Sequence, residues 1–181
     1  SINVEESIVK KIILKADKVL NVVNALHLDR ELFLTLQLID MGLPVIVALN
    51  FKDEAEKNGI KIDVTELSNQ LGVKVIPIDV IKGTGLSEIK ANISKIKPSI
   101  KSQYHYKSSI SKSLQKIKNK TEYILALESD KEFLKKYGLT AKISPDEIYQ
   151  QRRKRADDIV NTVQKTKYEK NDFKKRLASL M

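Results

Sequence analysis

The sequence predicts an α/β fold: a parallel sheet with flanking helices in the first half, followed by a small all-α helical domain. Three observations carry the prediction. Stretches rich in β-branched residues at 18–25, 45–49 and 73–80 alternate with segments of helical periodicity, the order expected of right-handed strand–helix–strand crossovers. Val45-Ile46-Val47-Ala48-Leu49 is apolar without alternation, as in a strand covered on both faces. Beyond Lys97-Pro98 the strand pattern disappears while helical spacing returns. The expected domains are therefore 1–97 and 98–181.

The elements follow in order. Val4, Ile8 and Ile12, four apart with Val9 and Ile13 beside them, predict an amphipathic helix over Val4 to Lys15. The Val-rich stretch Lys18 to Ala25 reads as a strand. Leu28 to Met41 reads as a helix that Gly42-Leu43-Pro44 stops. After the strand Val45 to Leu49 come a short helix ending near Asn58, a turn at Gly59, and a helix from Val64 to Leu71. Asp63 suits its N-cap, with Glu66 completing a capping-box pair. Val73 to Val80 is the third strand, and Gly83-Thr84-Gly85 leads into a helix from Leu86 to about Ile96. Ser and Lys dominate residues 99–113, a linker or helix edge. Apolar periodicity resumes at Leu114, Ile117, Tyr123, Ile124, Leu125 and Leu127. Ser144-Pro145-Asp146-Glu147 is a helix start, with Ser as cap and two acids facing the macrodipole, for a helix running to about Lys165.

Composition narrows the function classes. The 181 residues include no cysteine, so there is neither a disulfide framework nor a thiolate metal site. His27 and His105 lie far apart with no ligand spacing, and no metal site is predicted. No apolar run reaches the roughly 20 residues that cross a bilayer. The net charge of +10 is uneven: residues 1–87 carry 10 Lys/Arg against 12 Asp/Glu, and residues 88–181 carry 23 against 11. A basic second half suits nucleic acid or an anionic membrane surface, and the interspersed acids suit a solvated helical face equally.

The chemistry concentrates at Asn50-Phe51-Lys52-Asp53, on the carboxyl end of the apolar strand, where open α/β sheets place ligands. An aspartate carboxylate there accepts two hydrogen bonds from the N1–H and N2–H₂ edge of guanine, and adenine offers no such pair of donors. The asparagine braces neighbouring loops. Asp53 equally suits the cap of a helix over Glu54 to Asn58, since Asn and Asp are ordinary cap residues.

Longer stretches weigh toward the first of these. Val19-Leu20-Asn21-Val22-Val23-Asn24-Ala25, then Leu28 to Leu38, then Val47-Ala48-Leu49-Asn50-Phe51-Lys52-Asp53-Glu54-Ala55, Gly59 to Asp63 and Leu67 to Val73 resemble the cytoplasmic guanine-nucleotide domain of the FeoB family of ferrous-iron transporters. The match starts after the family's third nucleotide motif. Tyr123 to Glu128 and Asp172 to Leu177 resemble, more loosely, the helical domain that follows and that precedes the first transmembrane helix. The resemblance implies a P-loop-GTPase-like sheet, with Asn50 and Asp53 as the base-recognition pair, Lys52 inside their motif, and Asp79 and Val80 in the fifth-motif loop, where the family has Ser-Ala. Asn24 stands where the family more often has Asp.

The sequence contains no Gly-x-x-x-x-Gly-Lys-Ser/Thr and no Asp-x-x-Gly; Ser1-Ile2 resembles the point just beyond the latter. The phosphate nest, its lysine and the Mg²⁺ hydroxyl belong to those motifs. The chain is therefore expected not to hydrolyse GTP alone, no catalytic residue is assigned, GTP or GDP binds weakly or not at all, and Mg²⁺ belongs to the complete domain. Expected partners are guanine nucleotide, the missing N-terminal half of the domain or a partner chain, the transmembrane part of an iron transporter, and a second copy in a homo-oligomer. Nucleic acid is not expected. The expected location is the cytoplasmic face of a prokaryotic membrane. Two other readings stay open: a degenerate, non-catalytic interaction module, and a basic helical nucleic-acid-binding protein.

Overall fold

The computed structural model describes residues 4–102, 114, 116–139 and 145–166. The Ser144 cap, the 103–113 linker with His105, and the basic stretch from Asp172 to Leu177 lie outside them.

Helix α1 (Val4–Lys15) leads to strand β1 (Val19–Asn24), a 3₁₀ turn (Ala25–His27), helix α2 (Leu28–Asp40) and strand β2 (Val45–Asn50). Next come α3 (Lys52–Lys57), β3 (Ile60–Ile62), α4 (Val64–Leu71), β4 (Lys74–Ile78) and α5 (Leu86–Ile93). The second half adds α6 (Lys120–Leu127), α7 (Lys131–Lys136), α8 (Pro145–Val163) and β5 (Gln164–Thr166). Strands β1, β2 and β4 form a sheet in the order β1-β2-β4, both pairings parallel. This is the predicted α/β architecture.

The unbroken apolar β2 is buried from Val45 to Leu49 because it lies at the centre with helices on either side. One face of the sheet, with Val23, Val47, Leu49 and Val75, joins Leu28, Leu32, Leu36 and Ile39 of α2, Leu67 and Leu71 of α4, and Ile124, Leu127, Ile148 and Ile159 from the second half in one core. The other face, with Ile46, Ala48, Ile76 and Ile78, packs on Ile89 of α5. Leu20 and Val22 of β1 are level with Ile46 and Ala48, beyond the cover of α5, and are 43% and 54% exposed. Among the described residues β1 is paired on one edge only.

A buried polar network ties α2, α6 and α8 together. Arg152 of α8, fully buried, lies 2.6 Å from Glu128, whose other carboxylate oxygen accepts from the Gln37 amide at 2.7 Å. Arg155 donates to the buried Asp40 at 3.0 Å. Burial pushes the Glu128 carboxyl above its ordinary range even though Arg152 and Gln37 favour its ionised form.

Some elements differ from the sequence expectation. The second half is not wholly helical: α8 ends at Val163 and β5 pairs antiparallel with β3, Ile60 opposite Thr166. Neither three-residue strand has enough residues to display a period. Asp63 caps α4 by accepting from the Glu66 N–H at 2.9 Å, but the capping box is only half formed. The Asp63 N–H donates instead to the Val163 carbonyl, and the Glu66 carboxylate accepts from Gln70. In α1, Ile13 packs against the core while Ile12 is 62% exposed, so Ile12 lies off the buried stripe. α5 ends at Ile93 rather than near Ile96, and β4 ends at Ile78 because Asp79 starts a turn.

Candidate guanine-base site

The parallel sheet carries the carboxyl ends of β1, β2 and β4 to one edge, and the residues of interest stand there. In register, Asn24 lies opposite Asn50, and Asn50 opposite Ile78, the residue before Asp79. Two segments far apart in sequence, 50–53 and 79–82, are thereby brought face to face.

Asn50 is spent locally. Its Oδ1 accepts from the Phe51 N–H at 3.0 Å, which fixes the exit of the chain from β2. Phe51 then adopts φ 61° and ψ 26°, in the left-handed region that bulky side chains avoid, and keeps 43% of its surface exposed. Such strain persists where surrounding structure enforces it and is common at ligand sites. An aromatic face held open beside the aspartate offers a planar surface to a base.

α3 begins at Lys52, so Asp53 falls within its first turn rather than at the cap position, which Phe51 occupies without a side-chain bond. The capping reading of Asp53 is thus not realised. Its Oδ2 instead accepts from the Lys82 ammonium at 3.3 Å, and the side chain is 59% exposed. Lys52, by contrast, turns along the helix to pair with Glu56 at 2.6 Å, four residues on. It is not brought to Asp53.

The opposing loop is organised by Asp79. Its Oδ1 accepts from the Ile81 and Lys82 N–H groups, both at 3.0 Å, its backbone bonds Thr84 in both directions, and its Oδ2 lies 2.9 Å from the Lys82 ammonium. The Lys82 backbone N–H, then the Lys82 ammonium, hold the Asp79 carboxyl below the usual carboxylate range. Asp79 first, then Asp53, raise the Lys82 ammonium above its ordinary value. A serine hydroxyl can accept loop amides as this carboxylate does, and the carboxylate adds a negative charge to the turn that it organises. Val80 stands exposed at the crest, and its N–H makes no hydrogen bond among the described residues. Gly85 closes the loop at φ 80°, where a Cβ would collide with the Pro77 carbonyl oxygen.

Of the sequence-predicted residues, Asn50, Asp53, Asp79 and Val80 share this edge and Lys52 does not face it. Lys82 is the residue that the sequence reading left out. Its spacing of three from Asp79 was a usable signal for the first ion pair, but nothing local signals the second, 29 residues away. Among the described residues no group of three or more His, Cys, Asp or Glu side chains is placed to hold a metal ion, and no helix is long and apolar enough to cross a membrane.

A family model described as ferrous iron transport protein B matches residues 1–93. The Fe(2+) transporter FeoB of Escherichia coli strain K12 is 48% identical over 82 residues, 45% of this chain and 11% of the transporter. That of Salmonella typhimurium is 48% identical over 80 residues, 44% of this chain and 10% of its own length. This chain thus aligns with about a tenth of the curated relatives' length. Among solved structures it is similar to the cytosolic domain of the T. maritima FeoB iron transporter in its GMPPNP form, with a TM-score of 0.75 and 27% identity over 90% of this chain and 74% of that one. The cytosolic domain of L. pneumophila FeoB gives a TM-score of 0.68 and 30% identity, over the same shares.

Proposed function

Because the chain belongs to the ferrous iron transport protein B family, we propose that it is the base-reading part of a guanine-nucleotide domain regulating a ferrous-iron transporter at the cytoplasmic face of a prokaryotic membrane. The observation that carries this reading is the apposition of Asp53, at the end of the central strand, with the Asp79–Lys82 loop across the same edge.

Each part has a chemical role. Asp53 accepts from guanine N1–H and N2–H₂, which requires Lys82 to move aside or remain on the flank of Oδ2. The Val80 N–H, left unpaired by the Asp79 turn, donates to guanine O6. Phe51 covers a face of the purine. Lys82 offsets the two carboxylates, without which Asp53 and Asp79 would repel each other.

The phosphates and Mg²⁺ are held by protein beyond these residues, docked on the unpaired edge of β1, where Leu20 and Val22 await cover. The solved cytosolic domains, of which this chain covers 74%, support such an addition. On this reading the chain alone binds nucleotide weakly and does not hydrolyse it.

Weak binding calls for an observable that reports it. Guanosine added to the ¹⁵N-labelled chain is expected to shift the amides of Phe51, Asp53 and Val80, adenosine to leave them unmoved, and Asp53→Ala to weaken the guanosine response roughly 100-fold, the loss of two hydrogen bonds to a charged acceptor. Equal responses to the two nucleosides, or an unchanged response in the variant, would refute the assignment.

A further inference from the structure

At the opposite end of the sheet, where β2 and β4 begin, a groove of about 640 Å³ is lined by Val45, Val73 and Lys74 and by the strap that follows α5, including Lys95, Lys97, Ile100 and Lys101. No acidic residue lines it. Lys74 is paired with Glu88 at 2.9 Å, whereas the ammonium groups of Lys95, Lys97 and Lys101 have no partner among the described residues.

The strap is fixed rather than loose. Pro98 bridges to Pro44, the Ser99 hydroxyl donates to the Leu71 carbonyl at 2.7 Å and accepts from the Lys101 N–H at 3.0 Å, and Arg155 donates to the Lys101 carbonyl at 2.7 Å. Gly72, at φ 64°, makes room for it: a Cβ there would stand 2.5 Å from the Ser99 Oγ and 2.7 Å from the Lys101 Cγ. Held this way, Ile100 is 93% exposed. A large apolar side chain presented on a tethered backbone, among unpaired lysines, has the composition of an interfacial anchor: a short hydrophobic probe with cations at headgroup depth.

We propose that this end of the molecule rests on an anionic lipid surface, with Ile100 inserted among the acyl chains and Lys95, Lys97 and Lys101 against the lipid phosphates. Charge complementarity supports this occupant, and the absence of any aromatic residue from the groove argues against single-stranded nucleic acid, which needs stacking surfaces. The proposal deepens the membrane-associated reading above but does not depend on guanine recognition. Asn50, at the far end of β2, lies roughly 17 Å away, so the base site faces away from the lipid.

The chain has no tryptophan, so Ile100→Trp introduces a single reporter at an exposed position. Its emission is expected to shift to the blue on vesicles of phosphatidylglycerol mixed with phosphatidylcholine, and not on phosphatidylcholine alone. Ile81→Trp, at a side chain 97% exposed beside the base site, should not respond. Replacing Lys95, Lys97 and Lys101 by Gln should lower partitioning about 5-fold per lysine, roughly 100-fold in all, and raised salt should act likewise. No blue shift on anionic vesicles, an equal shift at Ile81→Trp, or an equal shift on neutral vesicles would overturn the proposal. So would a shift that follows protein concentration without lipid. A loss of guanosine recognition with lipid binding retained would overturn only the base-site reading.

Discussion

Asp79 organises its loop with a carboxylate rather than with a neutral acceptor, and this makes the loop responsive to acid. Its carboxyl is held below the usual range by the Lys82 backbone N–H and ammonium, so its stabilising contribution is complete at neutral pH. It is lost only as pH falls below about 4, through the lowered value of the folded state. The Ile81 and Lys82 amide resonances should therefore stay fixed through neutrality and move together in acid, and Asp79→Asn should remove that titration. Movement of these resonances near neutral pH would contradict the arrangement. Residue by residue, the site was half legible in the sequence. Asn50 and Asp53 sit in a motif beside a strand, whereas Lys82 bridges Asp53 and Asp79 only because β2 and β4 are neighbours, a fact of the sheet order.

At the scale of elements, the packing of α8 on α2 and α6 rests on groups that are costly to bury singly. Arg152 is fully buried against Glu128, with the Phe33 ring 5.1 Å from its guanidinium carbon. Removing one member of such a pair leaves an uncompensated charge, so Arg152→Ala should cost about 3–5 kcal/mol in chemical denaturation. A loss under 1 kcal/mol would mean that water or neighbouring helices replace the pair. The long elements were readable because apolar periodicity and stop signals agree, as at α2, α4 and β2. Strands β3 and β5 were not, since Gln164-Lys165-Thr166 carries no apolar alternation and becomes a strand through its pairing with Ile60 to Ile62. β4 stops at Ile78 for an equally local reason, the Asp79 turn.

Across the whole molecule, one apolar core runs from the sheet into the helices of the second half, while the far face of the sheet is covered only in part. The uncovered side of β1 sets an expectation for the isolated chain. An unpaired edge beside exposed Leu20 and Val22 favours association, so sedimentation should give a mass rising with concentration above 20.6 kDa, and Val22→Lys should return it to the monomer. A concentration-independent monomer would show that the edge is protected by other means. The small β3–β5 ribbon has a mechanical consequence at this scale. A tension applied at Thr166 is borne across the ladder at Ile60, and from there only six residues of chain separate the load from Asp53. The end of α8 is in this way linked through the β3–β5 ladder to α3, the helix whose first turn carries Asp53.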